Sequence, residues 1–491
     1  MQIQPSETEF KKYKEKFDCF PALGRFECPD IDLPLVYESL FYNSPYSFLF
    51  ESCKGPPAVA QYSLMGRVDG CVLSILQGEA ELKKSGIARN IPLELAFELL
   101  DFPPNMQSFD YAPHFWGGWV GLLNYEMNEL FETLPKRKTR NELMPDACFM
   151  EVHRPIVYNH KNKELNIIHI VDTENDASYE EVSEYISETA KCIDSIDKTP
   201  LSASKKKQDA YKSELRSNHT QEEYIDKVKR AKKYIEEGDI YQVNLSQEFS
   251  ATVDISPIDL YKKLKFVNPA PFSGLMKFQD ASIISSSPER LVKTDGDRIE
   301  TRPIAGTRPR GKTEEEDNNL SSELLLNSKE KAEHLMLVDL ERNDLGRICE
   351  TGSVRVTDLM FLEQYSHVNH IVSNIIGKLK PDTSVREIFR AVFPGGTITG
   401  CPKVRCMEII NELENSARGP YTGSFGYIGN GGQLDFNIII RTFVLKNSLA
   451  SFHVGAGIVA DSIPEKEYFE TLDKAGALLE TLSLSPEQIT K

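Results

Sequence analysis

Apolar residues between positions 220 and 238 recur with the period of an α-helix. Thr220 followed by Glu223 is the pattern of a capping box at a helix start. Gly238 is a residue that typically ends a helix. The apolar stripe between these two signals consists of Ile225, Val228, Ala231 and Ile235. The pattern therefore predicts an amphipathic helix from Thr220 to Gly238.

The pattern changes to strict alternation in the next segment, IYQVNLSQ at 240–247. A period of two predicts a β-strand whose faces differ. The apolar face consists of Tyr241, Val243 and Leu245, and the polar face consists of Gln242, Asn244 and Ser246. Two interpretations of the uncharged polar face remain open: contact with solvent, or the wall of a cavity.

Short apolar segments at 423–460 predict an antiparallel meander of buried strands, with turns at the Asn-Gly pair 430–431 and the Asn-Ser pair 447–448. A final helix follows, and Ser462 with Glu465 predicts a capping box at its start. Runs of strands with flanking helices indicate the α+β class.

A polar segment divides the chain. Residues 196–217 carry almost no apolar periodicity, which indicates an exposed connection. We therefore expect an N-terminal region at 1–195, a linker at 196–217 and a C-terminal region at 218–491.

Composition narrows the class of protein. The 491 residues are 40% hydrophobic and 27% charged, as in soluble globular proteins. A net charge of −17 without a basic stripe predicts no nucleic-acid partner. Because neither a signal-peptide pattern nor a run of about 18 apolar residues occurs, we expect no membrane contact and a cytoplasmic location. The nine cysteines lack metal-ligand spacing, which predicts reduced thiols.

Carboxylates on two predicted helices are candidate metal ligands. Glu467, Glu470 and Lys474 share one face of the final helix. Glu333 and Asp339 lie in a second acidic helix. Such carboxylates are the usual protein ligands of Mg²⁺, but a solvated helix face with a Glu470–Lys474 ion pair explains the first set equally simply.

Two features suggest that an anion binds. The segment FPGGTITGCPK places a turn rich in glycine and threonine before a helix that opens near Pro402, and free backbone amides at a helix start attract anions. Arg441 lies in the apolar segment FNIIIRTF, which predicts a buried strand. A buried guanidinium requires an anionic partner, which is either a ligand or an internal carboxylate.

Nine ordered motifs between about 220 and 485 together resemble the chorismate-utilising enzymes, which include anthranilate, aminodeoxychorismate, isochorismate and salicylate synthases. The motifs are GDIYQVNLSQ, SSSPERL, TRPIAGTRPRG, AEHLMLVDLERNDLGR, YSHVNHIVS, FPGGTITGCPK, IIIRT, GAGIVADS and EYFETLDKA. FESCKG, QYSLMG and GGWVGLLNYE match the N-terminal part of the family more loosely. The resemblance implies one intertwined α+β fold: a sandwich of two large antiparallel sheets with helices outside, in which the linker joins subdomains.

The resemblance also implies roles for individual residues. Glu333 and Glu470 match the ligands of a Mg²⁺ cofactor that holds the ring carboxylate of chorismate. Glu289 matches the general acid that protonates the departing C4 hydroxyl. The positions matched to substrate binding are Tyr421, Arg441, Thr397, Gly455 and Gly457, and further catalytic candidates are Thr307, His370 and Lys474.

Gln242 indicates which nucleophile is used. Relatives that add water have a lysine there as general base, whereas relatives that add ammonia have glutamine. The resemblance thus implies that this chain aminates chorismate. Since no cysteine lies in a G-x-C-x-G context, we expect ammonia to come from a glutamine amidotransferase subunit.

Ala305 bears on the ring position that is aminated. It lies in TRPIAGTRPRG, which resembles the active-site loop of the family, with small residues that let the backbone approach the ring. Many aminodeoxychorismate synthases have a nucleophilic lysine at this position, whereas anthranilate synthases have alanine. NPAPFSG, FPGGTITG and LDFNIIIRT nevertheless resemble the former group. We expect amination at C4 for p-aminobenzoate and folate synthesis; the alternative is amination at C2 to give anthranilate.

Two further expectations concern regulation and turnover. Glu51 and Ser52 match a segment where relatives bind tryptophan between the sheets, and a purely structural role is the alternative. We expect no strong inhibition by tryptophan. A chorismate-binding or scaffolding protein without turnover is the remaining alternative, although such a protein has no need of both a general acid and metal ligands.

Overall fold

The computed structural model describes residues 2–29, 31–56, 59–102, 108–135, 139, 144–172, 176–196, 214–364 and 368–490, apart from the side chains at 307, 309, 329 and 368. Most of the predicted linker, 197–213, lies outside these ranges, so the proposed region boundaries stay a prediction.

The described residues form twelve α-helices. They are α1 Glu7–Lys16, α2 Leu33–Leu40, α3 Leu93–Glu98, α4 Asn128–Phe131, α5 Tyr179–Ser195, α6 Gln221–Glu236, α7 Pro257–Val267, α8 Glu314–Leu326, α9 Ser328–Gly346, α10 Val385–Val392, α11 Lys403–Leu413 and α12 Pro464–Leu482. Short 3-10 turns occur at Tyr125–Met127, Gly396–Ile398 and Pro486–Gln488. None of the described helices is both long and apolar enough to cross a membrane.

The same ranges contain twenty-six strands. They are β1 Gln2–Gln4, β2 Cys19–Glu27, β3 Tyr46–Glu51, β4 Tyr62–Arg67, β5 Cys71–Leu76, β6 Glu79–Lys84, β7 Ile87–Ile91, β8 Gly118–Leu123, β9 Ala147–Val152, β10 Ile156–Asn159, β11 Glu164–Asp172, β12 Leu215–Ser217, β13 Gln242–Thr252, β14 Phe272–Phe278, β15 Ala281–Ser287, β16 Arg290–Asp295, β17 Arg298–Thr301, β18 Ile304–Pro309, β19 Arg355–Gln364, β20 Val368–Lys378, β21 Gly400–Cys401, β22 Ser424–Gly429, β23 Gln433–Asn437, β24 Thr442–Lys446, β25 Leu449–Ile458 and β26 Ile489–Thr490.

The strands form two large sheets, antiparallel except for the β12–β26 pair. The first sheet has the order β1-β2-β11-β10-β4-β3-β14-β15-β24-β25-β13-β12-β26, with β21 beside β13. The second has the order β18-β20-β17-β16-β23-β22-β8-β9-β5-β6-β7, with β19 beside β20. Each sheet contains strands from both sides of the polar segment, through the pairs β3–β14 and β8–β22. The predicted intertwined α+β fold is confirmed.

Apolar residues from both sheets pack against each other between them. Phe48 and Ile168 of the first sheet share a buried cluster with Val120 and Met150 of the second. Separate clusters on the outer faces hold the helices; Val243 and Leu245 of β13, for example, pack with residues of α6 and α11. The helices therefore lie outside the sandwich, as predicted.

Several local predictions are confirmed. Thr220 and Glu223 form the capping box of α6, and Gly238 follows the helix with a left-handed φ of 83°. The turns at 430–431 and 447–448 connect β22 to β23 and β24 to β25. The capping box at the final helix is wrong, because the Ser462 hydroxyl accepts a hydrogen bond from the Val459 amide and α12 has no side-chain cap.

The segment FNIIIRTF is not one strand. The strand β23 ends at Asn437 in the second sheet, and β24 begins at Thr442 in the first sheet. Arg441 lies in the crossing between the sheets, with a left-handed φ of 52°. The meander is therefore interrupted there, and the apolar run reflects burial rather than one continuous strand.

A fully buried ion pair lies under the N-terminal end of β13. The Arg418 guanidinium donates to both carboxylate oxygens of Glu414, at 2.8 and 2.7 Å, and the two side chains are 0% and 4% exposed. It also donates to the backbone carbonyls of Ile398 and Asn244, at 3.1 and 2.7 Å. The Thr422 hydroxyl accepts a further bond. One guanidinium thus ties together α11, the 396–398 turn and β13.

We expect Arg418→Met to lower the free energy of unfolding by about 3–5 kcal/mol, because it leaves the Glu414 carboxylate buried without its counterion. Urea denaturation measures the change. Arg342→Met is the matched control: Arg342 forms a 2.8 Å pair with Asp339 on exposed side chains, and such pairs contribute about 0–1 kcal/mol.

The double variant Arg418→Met/Glu414→Leu should recover much of the loss, since it removes the unpaired charge. Equal stability of Arg418→Met and the control would contradict the importance of the pair.

Candidate active site

The polar face of β13 forms a shelf together with two glycines of β25. The register places Asn244 opposite Gly457 and Ser246 opposite Gly455, so these residues share a face with Gln242. A Cβ atom on Gly457 would lie 2.7 Å from Gln242 Nε2, and one on Gly455 would lie 2.5 Å from Asn244 Oδ1. A larger residue at position 455 or 457 would therefore collide with the side chain of Asn244 or Gln242. Asn244 is only 8% exposed, which favours the cavity wall over the solvent-facing interpretation.

Tyr421 and Lys474 border this shelf. The Tyr421 hydroxyl would lie 2.7 Å from a Cβ atom on Gly455. The ring of Tyr421 stacks on that of His453, with ring centres 5.3 Å apart. Lys474 donates from Nζ to the Gly455 carbonyl at 3.0 Å. The structure thus brings together five of the sequence-predicted residues: Gln242, Tyr421, Gly455, Gly457 and Lys474.

Glu289 lies in a crossing between the sheets, after β15 and before β16, and is 6% exposed. Burial raises the pKa of its carboxyl group to about 7; the Thr397 hydroxyl, the Ile304 amide and Arg441 oppose that rise. Neither Glu289 Oε1 nor Thr397 Oγ1 completes a hydrogen bond within the described ranges. The Thr397 hydroxyl therefore affects the pKa of Glu289 by lying close to it rather than through a formed hydrogen bond. With a pKa of about 7, this carboxyl group is about half protonated at neutral pH, so it can donate a proton there.

Arg441 lies near Glu289. Its backbone carbonyl accepts a hydrogen bond from the Ser286 amide at the end of β15, at 3.1 Å. Burial lowers the pKa of its guanidinium, and Glu289 opposes the change. Among the described residues, no carboxylate lies within ion-pair distance of Arg441. Arg441 is half-buried, and of its two interpretations the structure favours a bound anion over an internal salt bridge.

Ala305 lies on an edge strand rather than in a loop. Residues 304–309 form β18, which pairs with β20 and has an irregular register between Ala305 and Thr307. Gly306 at the irregularity has a φ of 69°, and a Cβ atom there would lie 2.9 Å from Glu330. The ring of His370 lies 3.3 Å from the Gly306 carbonyl. Burial lowers the pKa of His370 to about 4, so its ring is neutral. The side chain of Thr307 lies outside the described part.

The cations of TRPIAGTRPRG contact carboxylates of the protein. Arg302 pairs with Glu363, and Arg310 pairs with Asp317 at 2.8 Å. Arg308 lies between the carboxylates of α8 and α9, 3.2 Å from Glu323 and 3.3 Å from Glu330. These arginines therefore fix the edge strand to the acidic helices that follow it.

The two proposed metal ligands lie on α9 and α12. Glu333 is half-buried, whereas Glu470 is exposed and forms a 2.9 Å pair with Lys474. Asp339 is 72% exposed and pairs with Arg342, which identifies it as a surface residue. Within the described ranges, no three acidic, histidine or cysteine side chains form a ready-made metal site. A cation held by these two glutamates needs ligands from water or substrate.

Glu341 was missed by the sequence analysis. Burial raises the pKa of its carboxyl group to about 8, and the nearby charge of Glu289 contributes. Its Oε2 atom makes no hydrogen bond in the described part of the chain. A signal was available, because Glu341 follows the buried Leu337 by one helical turn and precedes the buried Leu345 by another.

Glu51 and Ser52 border a separate pocket of about 80 Å³ between the sheets. Glu51 is 4% exposed and accepts hydrogen bonds from Tyr261 and Lys265, at 2.6 and 2.8 Å. Ser52 donates to the Tyr62 carbonyl at 2.9 Å. Both side chains therefore have structural partners, and the absence of strong inhibition by tryptophan stays a prediction.

Comparisons with known proteins agree with this architecture. Anthranilate synthase component 1 of Aquifex aeolicus is 38% identical over 99% of both chains. Aminodeoxychorismate synthase component 1 of Bacillus subtilis is 40% identical over 92% of this chain and 95% of its own. The crystal structure of anthranilate synthase component I from Streptococcus pneumoniae TIGR4 superimposes with a TM-score of 0.73 and 33% identity, covering 86% of this chain and 92% of its own. The sequence profile of the chorismate binding enzymes matches residues 75–480, and this chain belongs to that family.

Proposed function

We propose that the protein aminates chorismate at C4 to give 4-amino-4-deoxychorismate, with Mg²⁺ as cofactor and ammonia from a glutamine amidotransferase partner. The observation that carries the proposal is the proximity of a half-buried Arg441, without a described counterion, to a Glu289 carboxyl group whose raised pKa, about 7, leaves a proton available near neutral pH. This pair suits an anionic substrate with a hydroxyl leaving group.

The residues fit the net reaction. Arg441 and Tyr421 hold the enolpyruvyl carboxylate of chorismate, with the backbone at Gly455 and Gly457 open to approach. A C–N bond to ammonia forms and the C4–O bond breaks, while Glu289 donates its proton so that the hydroxyl leaves as water. The ammonium group that forms on the ring then gives one proton back to the Glu289 carboxylate, so the charges balance.

Gln242 favours ammonia as nucleophile. Its neutral amide lies beside Gly457 on the shelf, and it cannot act as the general base that water requires. Relatives that are named component 1 imply a second component, which accords with a partner that releases ammonia from glutamine.

Glu333 and Glu470 supply the donor set that suits Mg²⁺, which binds through few carboxylates and keeps ligands from water and substrate. Bound there, the cation would neutralise the ring carboxylate of chorismate. The two glutamates hold it, and Lys474 competes for Glu470 through the existing ion pair.

The alternative product is anthranilate. Relatives named anthranilate synthase component 1, at 36–38% identity over most of this chain, and Ala305 support it; the relative named aminodeoxychorismate synthase and the three sequence segments noted above support C4 amination.

Product analysis decides between these reactions. Purified protein with chorismate, Mg²⁺ and ammonium salt should give 4-amino-4-deoxychorismate, identified by mass and by conversion to p-aminobenzoate with an added lyase. Direct appearance of fluorescent anthranilate would establish the alternative. No consumption of chorismate, even with the partner subunit, would indicate a non-catalytic binding protein.

We expect Glu289→Gln to lower kcat by about 10²–10⁴-fold, because the departing hydroxyl loses its proton donor. In the unsubstituted enzyme, kcat at saturating free ammonia should fall as the pH rises through about 7, where Glu289 ionises. Substitution without loss of kcat would contradict the role.

Stability gives a second readout of the same group. The pKa of Glu289 in the folded protein, about 7, exceeds its ordinary value of 4.5, so its contribution to stability is full below pH 4.5 and is lost as the pH rises to 7. Between pH 4.5 and 8, this group should lower the free energy of unfolding by about 3 kcal/mol. Glu289→Gln should abolish that change, as measured by urea denaturation at the two pH values.

The metal assignment predicts that Glu333→Gln and Glu470→Gln each abolish activity at ordinary Mg²⁺ concentrations, with little change in unfolding temperature. Titration of the rate with Mg²⁺ should show a large rise in the concentration needed for half-maximal activity. Glu480→Gln, an exposed change on the same helix α12, is the control. An unchanged Mg²⁺ dependence in both variants would refute the assignment.

A further inference from the structure

Two amide oxygens on the shelf have no hydrogen-bond partner within the described ranges. They are Gln242 Oε1 and Asn244 Oδ1, and each is buried. A buried acceptor without a partner costs about 1–3 kcal/mol. Two such atoms on one strand face, two residues apart, indicate a site that a hydrogen-bond donor occupies.

The spacing of the two residues along the strand suits a very small ligand. The Cα atoms of Gln242 and Asn244 are about 6.7 Å apart along the strand. One nitrogen atom can bridge two acceptor oxygens about 5 Å apart, because each N–H···O bond spans about 2.9 Å. Because the opposite strand carries only Gly455 and Gly457 there, the amide groups of Asn244 and Gln242 lie over these glycines, and the Tyr421 hydroxyl borders Gly455.

We propose that Asn244, together with Gln242, forms the binding site of the attacking ammonia, which donates one N–H to each amide oxygen. The inference rests on the proposed amination and names a binding residue to which the sequence analysis gave no role. Two accepted N–H bonds leave the lone pair of the nitrogen free to attack the ring.

The surrounding charges select neutral ammonia rather than ammonium. Lys474 Nζ lies 3.0 Å from the Gly455 carbonyl, next to the shelf. The Arg418 guanidinium lies 2.7 Å from the backbone carbonyl of Asn244 itself. Each of these cations is paired with a carboxylate, Lys474 with Glu470 and Arg418 with Glu414, so neither carboxylate is left to balance an ammonium ion. Neutral ammonia is also the form that has a lone pair for attack.

Arg418 also fixes where Asn244 points. Its hydrogen bond to the Asn244 carbonyl joins a bond from the Asn244 amide to the Thr399 carbonyl, at 2.9 Å. The backbone on both sides of the Asn244 side chain is therefore anchored, which keeps Oδ1 over Gly455. Arg418 acts here as a positioning residue.

The test is the Michaelis constant for each substrate in Asn244→Leu, which keeps the approximate shape but removes the acceptor. With ammonium salt as nitrogen source at pH 8.5, we expect the KM for free ammonia to rise about tenfold, the effect of one lost hydrogen bond. The KM for chorismate should change less than twofold. Asn244→Ala serves the same test if the leucine variant does not fold, as judged by circular dichroism.

Ser250→Ala is the matched control. Ser250 lies on the same face of the same strand, six residues beyond Asn244, and its replacement should leave both KM values unchanged. An unchanged KM for ammonia in Asn244→Leu, or an equal rise in both KM values, would overturn the inference.

These outcomes differ from failure of the proposed function. If the unsubstituted protein consumes no chorismate with saturating ammonia, the amination itself is refuted. If it does consume chorismate, the KM for ammonia tests Asn244 whichever amino product forms.

Discussion

The ion pair between Arg418 and Glu414 is the constraint on which the site depends. Taking two charges out of water is unfavourable unless nearly every donor and acceptor is satisfied. Here the guanidinium reaches a carboxylate, a hydroxyl and two backbone carbonyls. Those carbonyls belong to Ile398, next to Thr397, and to Asn244. Satisfying one buried cation therefore fixes two segments that are far apart in the sequence.

The second constraint is the way the chain crosses between the sheets. Glu289 lies where the chain leaves the first sheet after β15 and enters the second at β16. Arg441 lies where it returns from β23 to β24. At both crossings the backbone leaves the hydrogen-bonded strand pairing of its sheet. The Ile438 amide donates to the Glu289 carbonyl there, at 3.0 Å. The intertwined topology thus brings a buried acid and a half-buried cation near each other.

The sequence patterns correctly predicted structural features that depend only on neighbouring residues. The capping box of α6 and the tight turns at 430–431 and 447–448 depend on neighbouring residues, and they formed as predicted. Arg441 could not be placed, because the apolar run around it continues unbroken while the backbone changes sheets. The spacing of Glu341 between the buried Leu337 and Leu345 indicated its burial, but its position beside Glu289 depends on how α9 packs. The motifs identified the family, but distances within the site required the fold.

Charge explains why the site needs so few free cations of its own. The chain carries a net charge of −17, and three arginines of TRPIAGTRPRG are matched by carboxylates of Glu363, α8 and α9. That loop cannot attract a dianion through net charge. In the proposed reaction, Arg441 compensates one carboxylate of chorismate and a cation at Glu333 and Glu470 compensates the other. In that reaction, a protonated Glu289 and a neutral Gln242 would add no charge that repels the substrate, so the raised pKa of Glu289 would serve substrate recognition as well as proton transfer.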